Sequence, residues 1–403
     1  MKKTFCFLNF VFAMCYAAFA QQTANYEENE VPKMVIPDHF VSFKGEIIQS
    51  EQDWEKMRRP EILQSFADQM YGQLPNDYDE LEWKDSVPNL NLYDEYADYK
   101  IINIRVLRNN ASQIIPLHIF TPKKGRGPFP VFLLISHRQV DKLIADKEDQ
   151  FFPIQQIISR GYAAAIFDVE FVSPDDKERY DEGILNTLYP EQLEMSNGMR
   201  GLSAWAWGAM RAMDFFEQDP LIDYSKSVVV GHSRGGKAAL WCGANDTRWA
   251  ITISNESGCG GAALSRRKFG ETVESINRTF PYWFTDNFDA FNGNEESLPF
   301  DQHQLIASMA PRSVYVASAM EDLWADPKGE YLSLKLASRV YEQVYGVLVD
   351  LPAHYDFNPH YIHNGPLGYH LRDGKHNLIS SDWEKFLDFA DSQFSKPHFN
   401  ESN

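Results

Sequence analysis

The sequence predicts an α/β fold, with a mostly parallel central sheet and helices on both of its faces. Three observations lead there. Beyond residue 129, short apolar runs rich in branched residues alternate with segments of helical spacing, the pattern of strands buried on both faces. The strand-like run Ser227-Val228-Val229-Val230 passes directly into Gly231-His232-Ser233-Arg234-Gly235-Gly236, and a helical pattern follows. The 403 residues are 44% hydrophobic, enough apolar material for one large core.

The elements follow in chain order. Lys2 and Lys3 precede an apolar run from Phe5 to Tyr16, and Ala18-Phe19-Ala20 is a small-x-small cleavage pattern. Residues 1–20 therefore read as a signal peptide, and a secreted or periplasmic location is expected. Residues 21–403 are expected to form a single domain that starts with an extended arm over 21–50. Glu51 to Tyr71 has helical spacing through Trp54, Ile62, Phe66 and Met70, and Gly72 stops it. Lys100–Leu107 and Gln113–Phe120 read as strands forming an antiparallel edge. Strands are expected at Pro130–Ser136, Tyr162–Phe167, Ser227–Val230, Ala250–Ile253 and Ser313–Ala317. Helices are expected at Phe152–Arg160, Gly201–Phe216, Gly235–Cys242, Tyr331–Tyr345 and Asp382–Phe394.

Composition narrows the partners. A net charge of −19 argues against nucleic acid, which needs a basic footprint. No run beyond the leader is long and apolar enough to span a membrane, and a monomer is expected. Cys6 and Cys15 fall in the leader, so Cys242 and Cys259 remain, read as free thiols with a disulfide as the alternative. Asn110-Ala111-Ser112 and Asn277-Arg278-Thr279 fit the N-glycosylation pattern, a frequent chance match.

A G-x-S-x-G run between a strand and a helix is the nucleophile elbow of the α/β-hydrolase fold. Only tiny residues fit two positions before and after the serine, hence Gly231 and Gly235. The turn lifts the Ser233 hydroxyl above the sheet edge, over a helix N-terminus that favours a developing oxyanion. A serine hydroxyl needs a base, and in this fold the chain order is serine, acid, histidine. The candidates late in the chain are His354, His360, His363, His370 and His376. His376, in the loop Gly374-Lys375-His376-Asn377 before the last helix, is the expected base, with His370 second. Two carboxylates compete as its partner. Glu256 follows the strand Ala250–Ile253, and Asp322 follows the strand Ser313–Ala317; Glu321 and Asp326 are less favoured neighbours. The pattern calls for no metal or other cofactor, since no cysteine or short histidine pair supports zinc.

Longer motifs carry a resemblance. Gly231-His-Ser-Arg-Gly-Gly-Lys237, Glu256-Ser-Gly-Cys-Gly-Gly-Ala-Ala-Leu-Ser-Arg-Arg267, Phe280-Pro-Tyr-Trp-Phe284, Trp324-Ala-Asp-Pro327 and Gly368-Tyr-His-Leu-Arg-Asp-Gly-Lys-His376 resemble the glucuronoyl esterases of carbohydrate esterase family fifteen. Arg58-Arg59-Pro60-Glu61 and Tyr71-Gly72 resemble its bacterial members. The resemblance implies a serine esterase acting on esters of 4-O-methyl-D-glucuronic acid, with glucuronoxylan or lignin–carbohydrate esters of the plant cell wall as partners. It implies Ser233 as nucleophile and His376 as base. Glu256 falls on the acid position of fungal members and Asp322 on that of many bacterial ones. Arg234 matches the oxyanion-stabilising arginine, Lys237 a lysine that binds sugar hydroxyls, and Trp324 a tryptophan lining the uronate pocket. Glu274 is carried over as a further sugar contact.

Two departures stand out. The cysteines that fungal members place before the serine and after the histidine are replaced here by His232 and Asn377. The first loop beyond the strand Pro130–Ser136 reads His137-Arg138-Gln139, outside the family pattern, which leaves the second oxyanion donor open. An acetylxylan or other carbohydrate ester deacetylase is therefore the alternative, and a non-catalytic glycan-binding protein a further one. A serine peptidase is disfavoured because no all-β segment of sufficient length exists.

Overall fold

The computed structural model describes residues 24–86, 91–355, 357–363 and 365–395. The expected signal peptide, with Cys6 and Cys15, lies outside the described residues.

Ten strands form one sheet: β1 (Glu80–Ser86), β2 (Ala97–Arg108), β3 (Ala111–Pro122), β4 (Phe129–Ser136), β5 (Ala163–Asp168), β6 (Ile222–His232), β7 (Ile251–Asn255), β8 (Ser313–Ala319), β9 (His360–Ile362) and β10 (Leu367–Arg372). Their order across the sheet is β1-β2-β3-β5-β4-β6-β7-β8-β10-β9. From β5 to β10 every neighbouring pair is parallel. Both margins are antiparallel, with β1, β2 and β3 on one side and β9 on the other.

Side chains alternate across the pleat, so each central strand feeds two cores. Val131, Leu133, Ile135 and Val229 face one apolar cluster, packed under the helices Gly201–Phe216 and Arg234–Asn245. Phe132, Leu134, Val228 and Val230 face the other, which takes in Trp383, Phe386 and Leu387 of the helix Ser380–Phe394. Burial on both faces is why these strands lack a polar alternation in sequence.

Three expectations change. The antiparallel edge has three strands rather than two, because β1 pairs outside β2. β9 and β10 were not expected as strands. The helix predicted at Tyr331–Tyr345 starts earlier, at Pro327, where Asp326 caps it by accepting the Gly329 N–H at 2.9 Å. The helix from Glu51 to Tyr71 forms over its expected length, with two π-helical turns at Trp54–Arg58 and Ala67–Tyr71. The arm ahead of it is mostly irregular, apart from a short 3-10 turn at Glu28–Glu30 and a bridge between Val41 and Ile47. Cys242 and Cys259 are free and buried, and burial raises both thiols well above their ordinary value. Among the described residues, no helix is long and apolar enough to cross a membrane.

The fold sets the site through its strand ends. β6, β7, β8 and β10 are adjacent and parallel, so their carboxyl ends open on one side, where open α/β sheets place their ligand crevice.

Candidate active site

Ser233 caps the carboxyl end of β6 with φ +55° and ψ −123°, a backbone conformation costly for any residue with a side chain. The glycines around it are required by contact. A Cβ on Gly231 would come 1.9 Å from the Gly235 carbonyl, and one on Gly235 would come 2.8 Å from the Ile135 carbonyl. The helix Arg234–Asn245 begins immediately after the serine. The Ser233 N–H donates to the Asn255 carbonyl at 2.8 Å, which ties the elbow to the end of β7.

His376 follows β10 by four residues, and its imidazole is 41% exposed. Its Nδ1 lies 2.6 Å from Asp322 Oδ2 and 3.3 Å from Glu256 Oε2. The structure thus brings both expected carboxylates to one imidazole, and their distances are unequal. Burial works against a charged ring, but the bonds to Asp322 and Glu256 outweigh it and raise the imidazole to about 9. Burial pushes the Glu256 carboxyl up to about 7, against the pull of His376 and Arg372. Glu256, Asp322 and His376 could in principle converge on a cation. Their oxygens and nitrogen are engaged with one another, and Glu256 also carries Arg372 at 2.5 Å and the Asn377 N–H at 2.9 Å. His370, the second choice for base, is buried away from this cluster, with Nε2 2.9 Å from Asp382 and Nδ1 3.1 Å from the Tyr315 hydroxyl.

A cavity of about 320 Å³ lies beside these groups. Ser233, His376, Glu256, Asp322, Arg234, Lys237 and Trp324 all line it, so one pocket collects seven of the eight expected residues. The eighth, Glu274, does not. It sits exposed on the helix Val273–Thr279, and Glu271, just ahead of that helix, lines the cavity instead. The reason is local. Thr272 caps the helix and turns the chain, so Glu271 faces inward while the next acidic residue faces out.

The polar wall of the cavity is buried. Lys237, 3% exposed, donates from Nζ to the Ser257 carbonyl and lies 4.0 Å from Glu271 Oε2. Burial lowers the lysine from its ordinary value and raises the glutamate from its own, while their mutual attraction opposes both shifts. Arg234 lies 4.6 Å above the Trp283 ring and 5.1 Å from that of Phe280, and its Nη1 donates to Asp175 at 2.5 Å. Its Nε is buried and has no hydrogen-bond partner among the described residues.

Several supporting residues were not read from sequence. Asp175 accepts from Arg234, from the Tyr282 hydroxyl at 2.9 Å and from Trp283 Nε1 at 2.9 Å. It lies in a loop far from every motif, and nothing local marks it. Glu330 accepts the Ser257 and Gly258 N–H groups at 2.8 and 3.0 Å and the Ser318 hydroxyl at 2.6 Å. It thereby fixes the loop that carries Glu256 and the carbonyl that meets Lys237. The short spacing from Trp324-Ala-Asp-Pro327 was its one signal.

The chain is similar to known proteins along most of its length. The family described as fungal glucuronyl esterase matches residues 104–345. A carbohydrate esterase from an unknown prokaryotic organism is 38% identical over 398 residues, covering 91% of both chains. A solved promiscuous family-15 carbohydrate esterase from a marine bacterial metagenome is 37% identical with a TM-score of 0.80, covering 92% of this chain and 99% of that one. The glucuronoyl esterase of Solibacter usitatus is 33% identical with a TM-score of 0.82, covering 91% of this chain and all of the other. A 4-O-methyl-glucuronoyl methylesterase of Wolfiporia cocos is 33% identical over 192 residues, 45% of this chain and 46% of that one. The elbow, its histidine with two carboxylates and the likeness along most of the chain lead to one conclusion: this protein belongs to the glucuronoyl esterase family of carboxylic ester hydrolases.

Proposed function

We propose that the protein is secreted and hydrolyses esters of 4-O-methyl-glucuronic acid in plant cell-wall xylan, through an acyl-enzyme on Ser233. The observation that carries this reading is the shared cavity: an esterase elbow opens onto a buried Lys237–Glu271 pair and the Trp324 ring. An acetyl pocket would be small and apolar, whereas these groups suit a ring bearing hydroxyls.

In its neutral form, favoured as pH rises toward about 9, His376 takes the Ser233 proton at Nε2 as Oγ attacks the ester carbonyl, while Asp322 holds the ring by Nδ1 and stabilises the imidazolium that forms. The negative oxygen of the tetrahedral intermediate is stabilised by Arg234 and the N-terminus of its helix. Because the ester is neutral and the intermediate anionic, the guanidinium favours the transition state over the bound substrate. The imidazolium gives its proton to the leaving alcohol. Water, deprotonated by the same imidazole, then attacks the acyl carbonyl, and the uronic acid departs as Ser233 recovers its proton.

The test is a paired panel of methyl 4-O-methyl-glucuronate and acetyl esters. Turnover of the glucuronate ester, abolished by Ser233→Ala, supports the reading. Turnover confined to acetyl esters overturns it.

A further inference from the structure

One side chain gathers the loop that carries His376. Arg372, the last residue of β10, donates from Nη1 to the Asp373 carbonyl at 3.0 Å and from Nη2 to the Lys375 and Asn377 carbonyls at 3.1 and 2.7 Å. The same guanidinium donates from Nη2 to Glu256 Oε1 at 2.5 Å and from Nε to Asp382 Oδ1 at 2.9 Å. Both carboxylates are fully buried. Asp382 is itself fixed, since its Oδ2 accepts the Ile379 N–H at 2.9 Å and its Oδ1 faces His370 Nε2.

Glu256 is thus committed on both oxygens. Oε1 is bound by Arg372, and Oε2 accepts the Asn377 N–H at 2.9 Å, one residue past the imidazole. The 3.3 Å from Oε2 to His376 Nδ1 is the longer of the two carboxylate contacts, against 2.6 Å for Asp322. A single Nδ1 proton makes one strong hydrogen bond, and Asp322 has the better geometry for it.

We propose that Arg372 is a positioning residue for His376 and that it works with Glu256 as a single clamp on the loop 373–377, leaving Asp322 as the carboxylate that orients the imidazole. Removing Arg372 leaves the buried Glu256 without its cation, and removing Glu256 breaks the same charge-assisted bond while Asp382 still compensates Arg372. Removing either partner therefore disables the same device. This rests on His376 being the base of the proposed reaction.

The experiment measures kcat and KM separately for Asp322→Asn, Glu256→Gln, Arg372→Met, Arg372→Lys and the double variant Arg372→Met/Glu256→Gln. We expect Asp322→Asn to lower kcat more than about 100-fold, and Glu256→Gln and Arg372→Met to lower it roughly 5- to 30-fold each, with KM held within about twofold. Arg372→Lys, which keeps the charge and loses the fork, recovers part of the loss. Residues that act as one unit are not additive, so the double variant is expected to match the worse single variant within about twofold. A double variant that loses the product of the two single losses overturns the clamp. So does a Glu256→Gln as damaged as Asp322→Asn. If Arg372→Met does not fold, the same cycle is closed with Arg372→Lys. Should the wild type turn over only acetyl esters, the substrate reading fails, and the cycle run on that ester still decides the clamp.

Discussion

Asp175 shows how much of a site rests on groups that never touch the reacting atoms. It holds the Arg234 guanidinium over the Trp283 ring while bonding to that same ring's nitrogen. Asp175→Asn keeps the shape but weakens a charge-assisted bond, so the arginine samples other positions. We expect kcat/KM for the glucuronate ester to fall about tenfold, corresponding to about 1.4 kcal/mol of transition-state stabilisation, with little change in melting temperature. Unchanged kinetics would mean that the two aromatic rings suffice to hold the arginine. At this scale, residues fixed by backbone sterics were the most legible. Gly231 and Gly235 announce Ser233 because no larger residue fits. The orienting acid was ambiguous in sequence for a geometric reason. β7 and β8 end side by side, and the Glu256 N–H donates to the Ala317 carbonyl at 2.7 Å, so either strand end can deliver a carboxylate to the same imidazole. Asp175 was illegible because its role depends wholly on a tertiary contact with a distant aromatic pair.

The central strands were visible as apolar runs because both faces are buried, but the margins were not. β1, Glu-Leu-Glu-Trp-Lys-Asp-Ser, is almost wholly exposed and alternates only through Leu81 and Trp83, too short an apolar pattern to mark a strand without its pairing to β2. β10 is buried, yet its Gly-Tyr-His-Leu-Arg stretch reads first as a motif, and Arg372 at its end bonds to the loop that carries His376. Glu330 tests how elements are joined here. Standing in the first turn of the helix Pro327–Gln343, it satisfies two backbone N–H groups beyond β7 and a hydroxyl of β8. Glu330→Ala orphans those donors in a buried place, and we expect a loss of roughly 2–4 kcal/mol in denaturant unfolding. Glu330→Gln keeps an acceptor for both N–H groups and is expected to stay within about 1 kcal/mol of wild type. An alanine variant as stable as wild type would show that the loop holds itself.

Across the whole molecule, three shifted groups act in the same direction with pH. Burial raises Glu330 from 4.5 to about 8 and Glu256 from 4.5 to about 7. The carboxylates around His376 outweigh its burial and raise it from 6.5 to about 9. Each group in the folded chain holds a proton over a window in which the unfolded chain has released it. The stability each contributes is complete below its unfolded value and is lost as pH rises through its folded value. A net charge of −19 at neutral pH adds self-repulsion in the same sense. Five histidines, His39, His118, His137, His232 and His303, are lowered by burial and act the other way below their unfolded value of 6.5, so we expect the melting temperature to decline between about pH 7 and pH 9, with a shallower decline in Glu330→Gln. A melting temperature that rises over that interval would contradict this account.

The interlocked strand ends have one more consequence. Ser233, Glu256, Asp322 and His376 are drawn from widely spaced parts of the chain, yet the backbone bonds from Ser233 to Asn255, from Glu256 to Ala317 and from Met320 to Arg372 fasten each strand end to the next. These bonds couple the four strand ends that carry the site. A chain that has lost the register of any one of these strands has lost the whole constellation, so partial folding yields silence rather than a weaker or less selective esterase.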